Sequence, residues 1–176
     1  MLVIHIISRD DTRDFDVLYR HLDARVLINP SRGEARRAIM DESDTVMLIG
    51  HGTEHGLFNH RLNGYVIDSG MVQLLRERTV IGIWCYAGNF ADRYDLRGFF
   101  TSNFISNVDE LLECGFEMFD GADDIIRSEN VRFAENVNEM LTNGTPLSEW
   151  VDTLWRCVEN SDRQFVLYNY EALYYN

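Results

Sequence analysis

The chain has 176 residues, 45% hydrophobic and 12% aromatic, which is enough to bury a domain-sized core and too apolar for extended disorder. Its formal net charge of −13 leaves no basic stripe for phosphates, which argues against nucleic-acid and anionic-membrane partners. Acidity of this kind is an ordinary route to solubility, although it also suits a cationic partner.

The three cysteines, Cys85, Cys114 and Cys157, are too widely spaced for a disulfide framework or a paired metal motif, so a reducing cytoplasm fits them best. The opening run Met1 to Ile7 is apolar. It lacks a basic lead and a small-residue cleavage site, and it runs straight into Arg9-Asp10-Asp11. No apolar run has the length of a membrane span. With no repeat, low-complexity tract or flexible linker, residues 1–176 read as one domain.

The first half alternates between strand and helix signals. Leu2 to Ile7 is a continuous apolar run of strand length, and Asp11 to Leu22 places Phe15, Leu18, Tyr19 and Leu22 on one helical face. Arg25 to Asn29 is a short β-rich run that Pro30 ends. Ser31-x-x-Glu34 then has the form of a capping box opening a helix to Asp41. Thr45 to Ile49 reads as a strand, Asp68 to Arg78 as a helix and Val80 to Trp84 as a strand. This order predicts an α/β fold, a three-layer αβα sandwich around a mainly parallel sheet.

The second half is less regular. Gly98 to Ser106 reads as a further strand, Val108 to Cys114 as a helix and Ser128 to Leu141 as another. Pro146 opens a helix at its first position, with Leu147, Val151, Leu154 and Val158 as its stripe. Gln164 to Tyr170 reads as a last, antiparallel edge strand.

Two strand ends carry chemistry. His51-Gly52 comes after Val46 to Gly50, and Cys85 comes after Val80 to Trp84. Strand ends in open α/β sheets border the crevices where such folds place their sites. An imidazole beside a thiol is the pair that nucleophilic cysteine catalysis needs. Alone, each residue is ordinary, since a cysteine after a strand usually packs and a histidine there is usually structural. Their joint position makes the functional reading the stronger one.

Leu48-Ile49-Gly50-His51-Gly52 and Ile81-Gly82-Ile83-Trp84-Cys85-Tyr86-Ala87-Gly88 resemble the His-Gly and Cys blocks of the caspase-like cysteine peptidases. That group includes caspases, metacaspases, legumains, clostripain, gingipains, separases and the CHAT peptidases. The resemblance covers roughly residues 1–106, and the separation of 34 residues from His51 to Cys85 is shorter than in true caspases. It implies a caspase-like fold and peptide-bond hydrolysis of a peptide or protein substrate without a cofactor. Cys85 would be the nucleophile, His51 the general acid/base, and the N–H groups of Gly52 and Cys85 an oxyanion hole. Trp84 stands where Ala, Ser or Asp is common in the family, so a preference for basic side chains does not carry over.

Other residues are weaker candidates. Trp84, Asp92, Asp95, Ser102 and Asn103 are positioned to border a substrate. The run Asp92 to Arg97 also reads as a solvated, mixed-charge loop. Glu54, His55 and His60 lie near one another, but Gly50, Gly52 and Gly56 break any helical ligand pair, and no metal is expected. Those glycines do not form a phosphate loop, and Gly56-Leu57-Phe58 turns back into the fold. Cys114, Cys157 and the aromatic cluster from Phe165 to Tyr175 read as packing. The alternative to a peptidase is a catalytically inactive α/β module that binds a peptide, protein or small ligand at the same sheet edge. A flavodoxin-like binder is a more distant option.

Overall fold

The computed structural model describes residues 1–7, 11–42 and 44–176. The strands are β1 (Leu2–His5), β2 (Arg25–Ile28), β3 (Thr45–Ile49), β4 (Gly52–Thr53), β5 (Gly56–Asn59), β6 (Gly64–Ile67), β7 (Thr79–Ile83), β8 (Gly98–Phe100) and β9 (Tyr174–Tyr175). The α-helices are α1 (Arg32–Asp41), α2 (Val72–Leu75), α3 (Ala87–Tyr94), α4 (Val108–Glu113), α5 (Ala122–Thr142), α6 (Trp150–Val158) and α7 (Gln164–Glu171).

Six strands form one mixed sheet in the order β2-β1-β3-β7-β8-β9, parallel throughout except for β9 against β8. The central strands are apolar on both faces because both faces are covered. Leu2, Ile4, Val46, Leu48 and Val80 point to the side packed by α1, α2 and α3. Val3, Met47, Ile49, Ile81 and Ile83 point to the side packed by α4 to α7. Two cores therefore sandwich the sheet, and the period-2 pattern of each strand divides its residues between them. The capping box at Ser31 forms as the sequence predicts, with the Ser31 side chain accepting from the Glu34 N–H and Glu34 accepting from the Ser31 N–H.

Four segments depart from the sequence reading. Gln164 to Tyr170 is helix, not strand. Its residues favour strands by type, but Phe165, Val166, Asn169 and Tyr170 are buried at helical spacing. The antiparallel edge strand is instead the short β9. Asp92 and Arg93 lie in α3 rather than in a loop. Pro146 precedes its helix instead of occupying the first position, and a 3-10 turn over Leu147–Glu149 leads into α6. The strand from Gly98 stops at Phe100 because the backbone of Thr101 and Ser102 accepts from the Gly88 and Tyr86 N–H groups, and Asn169 clips both backbone groups of Ile105.

The segment between β3 and β7 also carries more structure than the sequence reading found. Strands β4, β5 and β6 form a small antiparallel sheet, in which Gly56 to Asn59 does turn back as expected. Two further helices have different lengths. The predicted helix over 68–78 shrinks to a 3-10 turn over Ser69–Met71 and the one-turn α2, with the Asp68 side chain as its cap. Helix α5 is longer than predicted, beginning at Ala122. Among the described residues, no helix is long and apolar enough to cross a membrane.

Candidate functional site

Strand β7 ends in a sharp turn that lifts Cys85 out of the sheet. Tyr86 sits at φ 67° in the left-handed region, which costs a residue with a bulky side chain. The turn is over-determined by its hydrogen bonds, with Tyr86 donating to Ser102, Ala87 to Trp84 and Gly88 to Thr101 through their N–H groups. Among the described residues, the Cys85 N–H has no hydrogen-bond partner. It is available to an incoming acceptor.

The end of β3 turns differently. Gly50 has φ 146°, and a Cβ there would meet the Ile6 carbonyl oxygen at 2.8 Å, so only glycine fits. The chain then enters β4. The Phe58 N–H donates to the His51 carbonyl at 2.8 Å. That bond makes Gly52 and Leu57 a non-hydrogen-bonded pair, so the Gly52 N–H points away from β5. The Trp84 ring fills the place where a Gly52 side chain would stand, and its Nε1–H donates to the Thr53 carbonyl at 3.1 Å. Trp84 is buried and braces β4 against the end of β7.

His51 and Cys85 flank one crevice of about 20 Å³, with Thr12, Phe15, Thr101 and Phe104 among its other walls. That is room for about one water molecule, far less than a ligand cleft. Glu110 joins the two. Its Oε1 lies 3.9 Å from His51 Nδ1 and 4.0 Å from Cys85 Sγ, so the ring nitrogen and the sulfur are no farther apart than those distances combined. Its Oε2 accepts from the Ser106 N–H at 2.7 Å and the Ser106 hydroxyl at 2.8 Å. Asn107 caps α4 by accepting from the Glu110 N–H. The carboxylate is therefore fixed from behind with one oxygen presented to the site.

The thiol rests in its neutral form. Burial, with Glu110 second, pushes its pKa up to about 12. The thiol donates to the Phe104 carbonyl at 3.5 Å. On the solvent side, the His51 ring packs edge-on against His60 at 5.8 Å between centroids, and His60 packs against Phe58 at 5.0 Å.

The other residues singled out in the sequence lie elsewhere. Asp92 and Ser102 line a separate, open groove beside Gly88, Asn89 and Glu171. Asp95 is exposed at the end of α3. Asn103 donates to the Tyr168 hydroxyl at 2.9 Å and to Cys114 Sγ at 3.3 Å. His55 faces Arg93 at 3.3 Å and Glu54 at 3.4 Å rather than His51. Glu110 is the participant that the sequence reading missed. Asn107-x-x-Glu110 has the same helix-opening form as Ser31-x-x-Glu34 and could have marked the start of α4, but not the direction of the free oxygen. Comparison with protein families, with curated proteins and with solved structures finds no match for this chain.

Proposed function

We propose that this protein is a cysteine-type peptidase with Cys85 as nucleophile and His51 as general acid/base. The observation that carries the reading is that His51 and Cys85 line one crevice and share the anchored Glu110 carboxylate. In the proposed reaction, Cys85 Sγ attacks the scissile carbonyl carbon while its proton passes to His51. The C=O electron pair moves to oxygen, where the N–H groups of Gly52 and Cys85 stabilise the charge. The C–N bond then breaks, and His51 returns the proton to the leaving amine. Water, deprotonated by His51, cleaves the thioester to a carboxylic acid and restores the thiol. Glu110 supports the imidazolium that forms in each half-reaction, as a carboxylate partner does in other acid–base pairs.

A second reading, an inactive module that binds a peptide, protein or small ligand, is favoured by the protonated, hydrogen-bonded thiol and the narrow crevice. One experiment separates the two. A peptide carrying a thiol-reactive electrophile is incubated with the protein, the adduct is mapped by mass spectrometry, and cleavage of a fluorogenic peptide library is monitored in parallel. The peptidase reading expects the adduct on Cys85 and loss of both signals in Cys85→Ala. Labelling and cleavage that persist in Cys85→Ala would sink it.

A further inference from the structure

We infer that Asn130 of α5 is a positioning residue of the site, holding the Glu110 carboxylate beside Cys85 and His51 through the backbone of Ser106, with Asn169 of α7 fixing the preceding link. The effect of Asn130 on cleavage rests on the peptidase reading, whereas its effect on the Cys85 thiol stands without it.

Between β8 and α4 the chain is neither strand nor helix, yet Ile105 and Ser106 are buried. Buried backbone groups outside a ladder or helix need partners from elsewhere. Here all four come from side chains. Asn169 Oδ1 accepts from the Ile105 N–H at 2.7 Å, and Asn169 Nδ2 donates to the Ile105 carbonyl at 3.0 Å. One amide thus copies the two bonds that a strand partner would make. Glu110 Oε2 accepts from the Ser106 N–H at 2.7 Å, and Asn130 Nδ2 donates to the Ser106 carbonyl at 2.9 Å. Asn130 and Asn169 are themselves 5% and 3% exposed, so water does not readily replace either amide.

The place of this clamp in the chain links it to the site. Phe104, one residue before it, offers the carbonyl that accepts from the Cys85 thiol at 3.5 Å. Ser106, at its end, also donates its hydroxyl to Glu110 Oε2 at 2.8 Å. That leaves Oε1 facing Cys85 Sγ at 4.0 Å and His51 Nδ1 at 3.9 Å. The 21-residue α5 therefore reaches the site in two steps, from amide to carbonyl and from Ser106 to carboxylate. Without the Asn130 amide, the Ser106 carbonyl is buried and unpaired, and residue 106 must shift to find it a partner. Its N–H and hydroxyl move with it, and Glu110 loses its anchor. Asn169 keeps Ile105 in place, so the disturbance falls on Ser106 and Glu110.

A double-variant cycle separates this role from plain support of the fold. Cys85 is alkylated with iodoacetamide at a fixed pH below the thiol pKa, where the rate tracks the thiolate fraction. Asn130→Leu keeps the volume and removes the donor. Asn130→Ala, which brings in no bulk, is run beside it, and near-UV circular dichroism selects the folded chains. Each is compared with and without Glu110→Gln. With the glutamate in place, loss of the amide should quicken alkylation about threefold, because the negative charge moves off the thiol. In the Glu110→Gln chain the same loss should change the rate by less than about 1.5-fold, since no charge is left to move. Equal factors in the two backgrounds show that Asn130 only supports the fold and overturn the proposal. An unchanged rate with the glutamate in place overturns it too. On a cleaved peptide, Asn130→Leu should lower kcat about threefold and leave KM unchanged. A chain that shows the coupling in alkylation but cleaves no peptide keeps the clamp and loses the peptidase reading.

Discussion

The ends of β3 and β7 lie side by side in the sheet, yet they expose their functional residues by opposite means. At β3, a glycine with positive φ releases the chain into the β4–β5 hairpin, and His51 is held at its base. At β7, a strained Tyr86 reverses the chain into α3, and Cys85 is left under Phe104 and Glu110. The imidazole sits among other rings at a half-open rim. The thiol sits in a setting that suppresses its ionisation. Residues at equivalent sheet positions thus acquire contrasting chemistry, because one strand leads into a hairpin and the other into a helix. In the proposed peptidase, this contrast keeps the nucleophile protonated until a substrate carbonyl and His51 act on it together.

The largest effect should come from deleting either end of the pair. If the two strand ends form one catalytic unit, Cys85→Ala and His51→Ala each lower kcat/KM by about 10³-fold or more, and the double variant loses little beyond the single ones. Additive losses in steady-state cleavage of a peptide substrate would mean that the two residues do not act as a unit.

A third strand end sharpens the contrast. His5 closes β1 beside Ile49 of β3 and is wholly buried, with ring nitrogens 2.7 Å from the Thr12 carbonyl oxygen and 3.0 Å from the Tyr19 hydroxyl. Burial lowers its pKa to about 4, against 6.5 for the free side chain. The unfolded chain therefore binds a proton below pH 6.5 that the folded chain refuses until about pH 4. Stability contributed by neutral His5 is present above pH 6.5 and is lost as pH falls through that window, by about 3 kcal/mol in all. Urea unfolding between pH 7 and 4 checks this, and His5→Gln should flatten the part of the slope that His5 supplies.

These three ends also show how far the sequence could be read. The apolar runs at β1, β3 and β7 announced buried parallel strands, because a strand covered on both faces has no polar positions to spare. Their order placed His51 and Cys85 at neighbouring ends of the sheet. Glu110 was not legible in its role, since a carboxylate in the first turn of a helix usually serves that helix, and only tertiary packing turns its second oxygen toward the thiol. Trp84 was legible only in part. It lines the crevice beside Cys85, but that its ring also fills the space Gly52 leaves empty shows only in the packing. Gln164 to Tyr170 misled by residue type, because its aromatic and β-branched residues favour strands and the helical spacing of its buried positions shows only in the packed fold.

The Trp84–Gly52 contact yields a smaller effect at the β3 end. A methyl group at Gly52 would enter the Trp84 ring and approach the Gly56 carbonyl oxygen to 2.5 Å. Overpacking of this kind costs about 1–3 kcal/mol. Gly52→Ala should therefore lower the thermal midpoint, and Trp84→Phe in the same chain should recover part of the loss. A Gly52→Ala protein with unchanged stability and reduced cleavage would show that the glycine serves the oxyanion alone.

Glu110 offers the subtlest test, because it touches both strand ends and should affect them in opposite directions. Its negative charge raises the Cys85 pKa, and the same carboxylate stands 3.9 Å from His51 Nδ1. Glu110→Gln keeps the shape and the capacity to accept from Ser106 while removing the charge. The thiol pKa should fall from about 12 but stay raised, since burial remains its larger cause. Alkylation of Cys85 by a small neutral reagent such as iodoacetamide should then quicken by up to about tenfold at fixed pH below the pKa, where the rate tracks the thiolate fraction. Peptide cleavage should slow, because the imidazolium loses its counter-charge in both half-reactions. Faster alkylation with slower cleavage is the signature of one carboxylate serving two strand ends. If both rates rise together, Glu110 acts on the thiol alone, and His51 draws its support from elsewhere.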